Sequence, residues 1–221
     1  MHLRILIFFL FGFPLLAFSH TPAAGASVDR PADSTITVLF FGDSITAGYG
    51  LDVDQAFPAI LEKMARDEGF ALEAVNAGVS GETSAGGLRR VGWILQRPFD
   101  LFVLELGGND ALRGIDPDHT RDNLAQIIDK VLEERPESKI LLAGMEAPPN
   151  MGNDYRQAFR QLYVDLAESR PVSFMPFILE DVAGEPELNL PDGIHPTPEG
   201  HRIIAGNLWE VLKPVLEELM P

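Results

Sequence analysis

The feature that most restricts the fold is an alternation of short, mainly apolar runs with longer stretches whose apolar residues return every three or four positions. The runs at 35–41, 71–75, 101–106, 139–144 and 172–175 are too short for helices and carry no polar alternation, which is the pattern of strands buried on both faces. Between them, sets such as Phe57, Ile60, Leu61 and Met64, or Leu124, Ile127, Ile128, Val131 and Leu132, repeat at helical spacing with charges interleaved. Strands that alternate with helices pair in parallel, because a parallel neighbour requires a crossover, and the crossovers are right-handed. The expected fold class is therefore α/β, a three-layer αβα sandwich around a mainly parallel, five-stranded sheet. Functional groups in such sheets collect beyond the carboxyl ends of the strands.

Residues 1–26 read as a signal peptide and leader, and 27–221 as a single domain whose folded part begins near Ser34. Arg4 supplies a small positive region, residues 5–18 form an apolar run broken by Pro14, and small residues follow. Cleavage after Ser19 and cleavage after Ala26 both fit a small-x-small pattern. The run falls short of the ~20 apolar residues of a spanning helix, so a periplasmic or secreted protein without stable membrane insertion is expected. The chain has no cysteine, which removes a thiol nucleophile, a disulfide and a lipid-anchoring cysteine. A net charge of −16 opposes binding to phosphate backbones, so nucleic acid is not an expected partner.

The first run leads directly into Gly42-Asp43-Ser44, which puts a serine at a strand's carboxyl end and at the start of the next helix. Taken alone, such a serine is commonly a helix cap. Serine becomes a nucleophile when an imidazole takes its proton and a carboxylate fixes that imidazole. Asp192 and His195, three residues apart in a turn-rich loop after the last run, supply this pair. Two further loops offer donors for an oxyanion. Gly78 lies in Asn76-Ala77-Gly78 after the second run, and Asn109 in Gly107-Gly108-Asn109-Asp110 after the third.

In this order, Gly42-Asp43-Ser44, Gly78, Gly107-x-Asn109-Asp110 and Asp192-x-x-His195 resemble the four sequence blocks of the SGNH, or GDSL-type, hydrolases. The longer strings Gly42-Asp43-Ser44-Ile45-Thr46-Ala47-Gly48-Tyr49 and Glu105-Leu106-Gly107-Gly108-Asn109-Asp110 are similar to those of bacterial periplasmic multifunctional thioesterases, arylesterases and lysophospholipases. The resemblance covers nearly all of the chain after the leader and implies a flavodoxin-like fold. It implies Ser44 as nucleophile, His195 as base and then acid, and Asp192 as its orienter. The Ser44 and Gly78 N–H groups and the Asn109 amide are the implied oxyanion hole, with no metal or cofactor. Ile45 stands where the family's name motif has leucine, a volume-conserving change at a packing position. No G-x-S-x-G elbow is present, which disfavours the α/β-hydrolase arrangement.

The same resemblance implies a serine esterase that hydrolyses aryl esters, acyl-CoA thioesters and lysophospholipids through an acyl-enzyme, acting on small molecules as a monomer. The alternatives are a carbohydrate O-deacetylase of the same family and a non-catalytic binding module. Apolar residues near the site loops, Leu112, Met145, Pro148, Pro149, Met151, Phe177 and Ile178, are candidates for a substrate pocket. By position, 111–119 corresponds to a mobile loop that closes over substrate in that group. Asp116, Asp118, His119 and Asp122 resemble a metal cluster but open a helix, where acidic residues suit the dipole, so no metal is expected there. Asp43 and Asp110 are expected to tie their loops to backbone N–H groups, and His201 lies in the last helix with no serine-bearing loop beside it. No nucleotide-binding glycine pattern follows a strand.

Overall fold

A computed structural model describes residues 35–220. The proposed leader boundary at residue 26 lies outside them. The five apolar runs form five strands: β1 (Ile36–Gly42), β2 (Leu72–Asn76), β3 (Leu101–Glu105), β4 (Lys139–Ala143) and β5 (Ser173–Met175). Every observed pairing is parallel, and the spatial order is β2-β1-β3-β4-β5. Strand β3 is buried along its whole length, and β1 along all but one residue. Continuous apolar sequence is what central positions between two helical layers require.

The connections are α1 (Ser44–Ala47), α2 (Phe57–Asp67), α3 (Ser84–Ile94), α4 (Gly108–Leu112), α5 (Pro117–Glu134) and α6 (Asn153–Ser169), with α7 (Pro198–Leu219) closing the chain. Helices α3, α5 and α6 lie side by side, and α2 packs against α7. Because right-handed crossovers that run in opposite directions along a sheet use opposite faces, these two groups form the outer layers. The expected three-layer sandwich is the observed fold. Among the described residues no helix is long and apolar enough to cross a membrane.

Register does the positioning. Gly42 is level with Glu105, and Phe40 with Asn76, so β1, β2 and β3 end side by side and their following loops converge. The helix after β1 is a single turn, with Asp43 as its cap accepting from the Ile45 N–H at 2.9 Å. Sequence alone suggests a longer dipole behind Ser44. One turn sums few peptide dipoles, so any electrostatic help there comes from its own unpaired N–H groups.

Candidate active site

Ser44 is 7% exposed, at the floor of a cleft of about 760 Å³. Its Oγ lies 3.0 Å from Nε2 of His195, and the other ring nitrogen, Nδ1, lies 2.7 Å from Oδ2 of Asp192. The carboxylate fixes the tautomer: Nδ1 carries the hydrogen and donates it to Asp192, which leaves Nε2 as an acceptor for the serine hydroxyl. Asp192 Oδ1 accepts from the backbone N–H groups of Ile194 (2.9 Å) and His195 (3.0 Å), so the loop holds its own carboxylate in place. The bond from His195, joined by those two N–H groups, lowers the Asp192 pKa to about 2. It therefore stays ionised through the whole range in which an esterase works. The Tyr49 ring lies against the His195 ring, with centroids 4.4 Å apart, and covers the imidazole face.

The two remaining loops arrive beside Ser44. Asn109 Nδ2 donates to Asp43 Oδ2 at 3.0 Å, which leaves its second amide hydrogen for another acceptor. Gly78 presses on the first helical turn: a Cβ there would stand 2.3 Å from the Ala47 nitrogen. Its N–H points to Asn76 Oδ1 at 3.0 Å, while Asn76 Nδ2 donates to the Thr46 carbonyl at 2.8 Å. Asn76 thus clamps the glycine loop to the turn that carries Ser44. An acyl oxyanion that uses the Gly78 N–H must share it with that side chain.

Beneath the site lies a pair of buried carboxyls: Asp43, which ties its loop to a backbone N–H as expected, and Glu105, which sequence reasoning passed over. Asp43 is 1% exposed, and loss of hydration raises its pKa to about 6. Glu105, also buried, accepts from Thr46 Oγ1 at 2.7 Å and from the Asp43 N–H at 3.3 Å, and its second oxygen has no partner among the described residues. Burial, reinforced by the neighbouring Asp43 charge, pushes Glu105 well above the ordinary carboxyl range. The proton of the pair therefore resides on Glu105, and the charge on Asp43, which has the better donors. An acid at the end of an otherwise apolar run was the available signal. Asp110 is also buried and accepts from Ser84 N (2.8 Å) and Ser84 Oγ (2.5 Å), which pins α4 to α3.

The cleft wall includes Leu112, Met145, Pro148, Pro149 and Phe177 from the expected pocket set. Ile178 is not on it. Its N–H is held by the Gly144 carbonyl at 2.9 Å, and its side chain is fully buried in the core. Met151 is also off the wall, packed against the core near Gly114. Residues not foreseen at the cleft are Tyr49, Glu146, Arg156, Leu179 and Ile194. The acidic residues at the start of α5 are engaged locally. Asp116 caps the helix through the Asp118 N–H, and Asp118 and Asp122 pair with Arg121. His201 is buried and accepts the Phe57 N–H on Nδ1 at 3.1 Å, so it caps α2 from α7. Burial lowers its pKa to about 4.

Known proteins resemble this chain in sequence and fold. Esterase TesA of Pseudomonas aeruginosa is 43% identical over 182 residues, which is 81% of this chain and 89% of that protein. The thioesterase 1/protease 1/lysophospholipase L1 of Escherichia coli K12 is 37% identical over 181 residues, 81% of this chain and 85% of its own. The crystal structure of the psychrotrophic esterase EstA from Pseudoalteromonas sp., inhibited by monoethylphosphonate, superposes with a TM-score of 0.77 at 30% identity, over 82% of this chain and 98% of that one. The family model of the GDSL-like lipases and acylhydrolases matches residues 40–203, from the strand that delivers Ser44 to the helix behind His195. With its sheet, its converging loops and its relatives in agreement, the chain belongs to the GDSL-like lipase/acylhydrolase family of serine hydrolases.

Proposed function

We propose that the protein is an exported serine esterase and thioesterase that uses Ser44, His195 and Asp192 as its triad and passes through an acyl-enzyme. The observation that carries this reading is the unbroken line of hydrogen bonds from Ser44 Oγ through the imidazole to Asp192. Ser44 Oγ attacks the acyl carbon while its proton passes to His195 Nε2. The tetrahedral oxyanion is received by the Ser44 and Gly78 N–H groups and the Asn109 amide. Collapse expels the alcohol or thiol, which takes the proton from Nε2. Water, deprotonated by the same nitrogen, then attacks the acyl-enzyme and releases the acid. Ionised Asp192 stabilises the imidazolium at both stages.

The apolar part of the wall, with Leu112, Met145, Pro148 and Phe177, suits an acyl chain. Small aryl esters, acyl thioesters and lysophospholipids are the proposed substrate class, acted on by a monomer. Residues 1–26 direct export to the periplasm or the medium, and 27–221 form the hydrolase domain. The test is hydrolysis of p-nitrophenyl esters and acyl-CoA thioesters over a chain-length series, with Ser44→Ala alongside. Activity that depends on Ser44 supports the reading. A wild type inactive on every member, with a fluorophosphonate failing to label Ser44, overturns it.

A further inference from the structure

Arg156, in the first turn of α6, is the one lysine or arginine on the cleft wall that also carries Ser44 and His195. Among the described residues its Nε, shut off from solvent, has no hydrogen-bond partner, and its guanidinium makes no ion pair. This is unusual in a chain where Asp and Glu outnumber Lys and Arg by 33 to 17, since carboxylates are plentiful. The carboxylates of the cleft are engaged elsewhere. Glu146 pairs with Arg160 at 2.7 Å, Asp43 is held by Ile45 and Asn109, and Asp192 lies behind His195. The same wall carries Met145, Pro148 and Pro149, whose side chains offer no hydrogen-bond acceptor stronger than a thioether. A guanidinium on the wall without a carboxylate partner leaves its charge uncompensated there, and an anionic group brought into the cleft would pair with it.

We propose that Arg156 makes part of the cleft wall an anion-recognition subsite, which selects esters that carry a phosphate or carboxylate group in addition to the acyl bond. The proposal rests on the esterase reading and narrows its substrate class. The planar fork of the guanidinium pairs with two oxygens of such a group. A neutral ester gains nothing from it. The remaining apolar wall still takes the hydrocarbon part, so the preferred substrate is amphiphilic, with one anionic end.

The experiment uses two matched pairs: p-nitrophenyl butyrate with mono-p-nitrophenyl succinate, and 1-butyrylglycerol with its 3-phosphate. In each pair the second member adds one anionic group, on the acyl side in the first pair and on the alcohol side in the second. Arg156→Gln should lower kcat/KM for at least one anionic member by about tenfold to a hundredfold relative to its neutral partner, through KM. Arg156→Lys should recover part of the loss. The arm that responds tells whether the anion is a carboxylate on the acyl chain or a phosphate on the alcohol. Equal effects on both members of both pairs would overturn the proposal. If the wild type hydrolyses none of the four, the esterase reading is decided by the chain-length series and by fluorophosphonate labelling of Ser44. The subsite is then judged by calorimetric titration of the same compounds into Ser44→Ala and into Ser44→Ala with Arg156→Gln. Selective binding of an anionic member, lost in the double variant, sustains the subsite; the absence of selectivity overturns it.

Discussion

Asp43 is a carboxylate with almost no contact with water, held by the Ile45 N–H on one oxygen and by the Asn109 amide on the other. Its pKa rises from 3.8 to about 6, so at pH 8 it is charged, and keeping it charged in the fold costs about 3 kcal/mol at 1.36 kcal/mol per unit. The folded state binds this proton more readily than the unfolded chain, so the cost is full above pH 6 and fades as pH falls towards 4. Asp43→Asn removes the charge while preserving the shape. At pH 8 the variant should be the more stable protein by roughly 1–2 kcal/mol, part of the gain being offset by the weaker bond to Ile45. The same change places an NH2 group opposite the Asn109 NH2. Two donors cannot face each other, so the Asn109 amide turns over and its free hydrogen leaves the oxyanion. Turnover should then fall by roughly 10²-fold to 10³-fold, as for loss of one oxyanion donor. Thermal unfolding at pH 8 and pH 5, together with kcat on p-nitrophenyl butyrate, separates the two effects. The stability gap should narrow at pH 5, and adding Asn109→Ala to Asp43→Asn should cost little more. A variant that is less stable than wild type at pH 8, or whose kcat stays within threefold, would refute the reasoning.

Two other changes test parts of the same framework. Gly78→Ala forces a Cβ to within 2.3 Å of the Ala47 nitrogen, so the nucleophile turn must shift; kcat should drop about 10²-fold, with a lower melting temperature, and near-normal kinetics would mean that the turn is not rigid. His201→Leu leaves the buried Phe57 N–H without its acceptor and should cost about 1–3 kcal/mol in urea unfolding. Because the folded protein holds His201 neutral down to about pH 4, the wild type should lose stability as pH falls from 6.5 towards 4, and the leucine variant should lack that component.

Much of this molecule was legible in its sequence, for a physical reason. Strands sealed between two helical layers must be mainly apolar, so 101–106 and 139–144 marked β3 and β4 to within a residue of their observed ends. The loops that carry Ser44, Gly78, Asn109 and His195 were identifiable because each begins where such a run stops. What escaped depends on direction. Ile178 is as apolar as Phe177, and only the path of the chain after β5 sends one inward to the core and the other to the cleft. Asn76 carried no role in the sequence, yet its amide bonds in two directions and joins two loops. Arg156 was not singled out, since nothing local in sequence tells a cation that meets a carboxylate from one that does not.

The crowding of all these groups at one rim of the sheet leaves the opposite rim free for engineering. There the turn between α2 and β2 passes through Gly69, an exposed residue in the left-handed region (φ +88°) whose missing side chain would touch nothing within 4 Å. Helix α2 is secured on its own account just before that turn, where Glu68 accepts from Trp209 Nε1 at 2.8 Å and from Lys213 Nζ at 2.6 Å. A tether for surface immobilisation, or a second domain spliced in at this point, would hang from the far side of the molecule and leave the cleft open to its substrate.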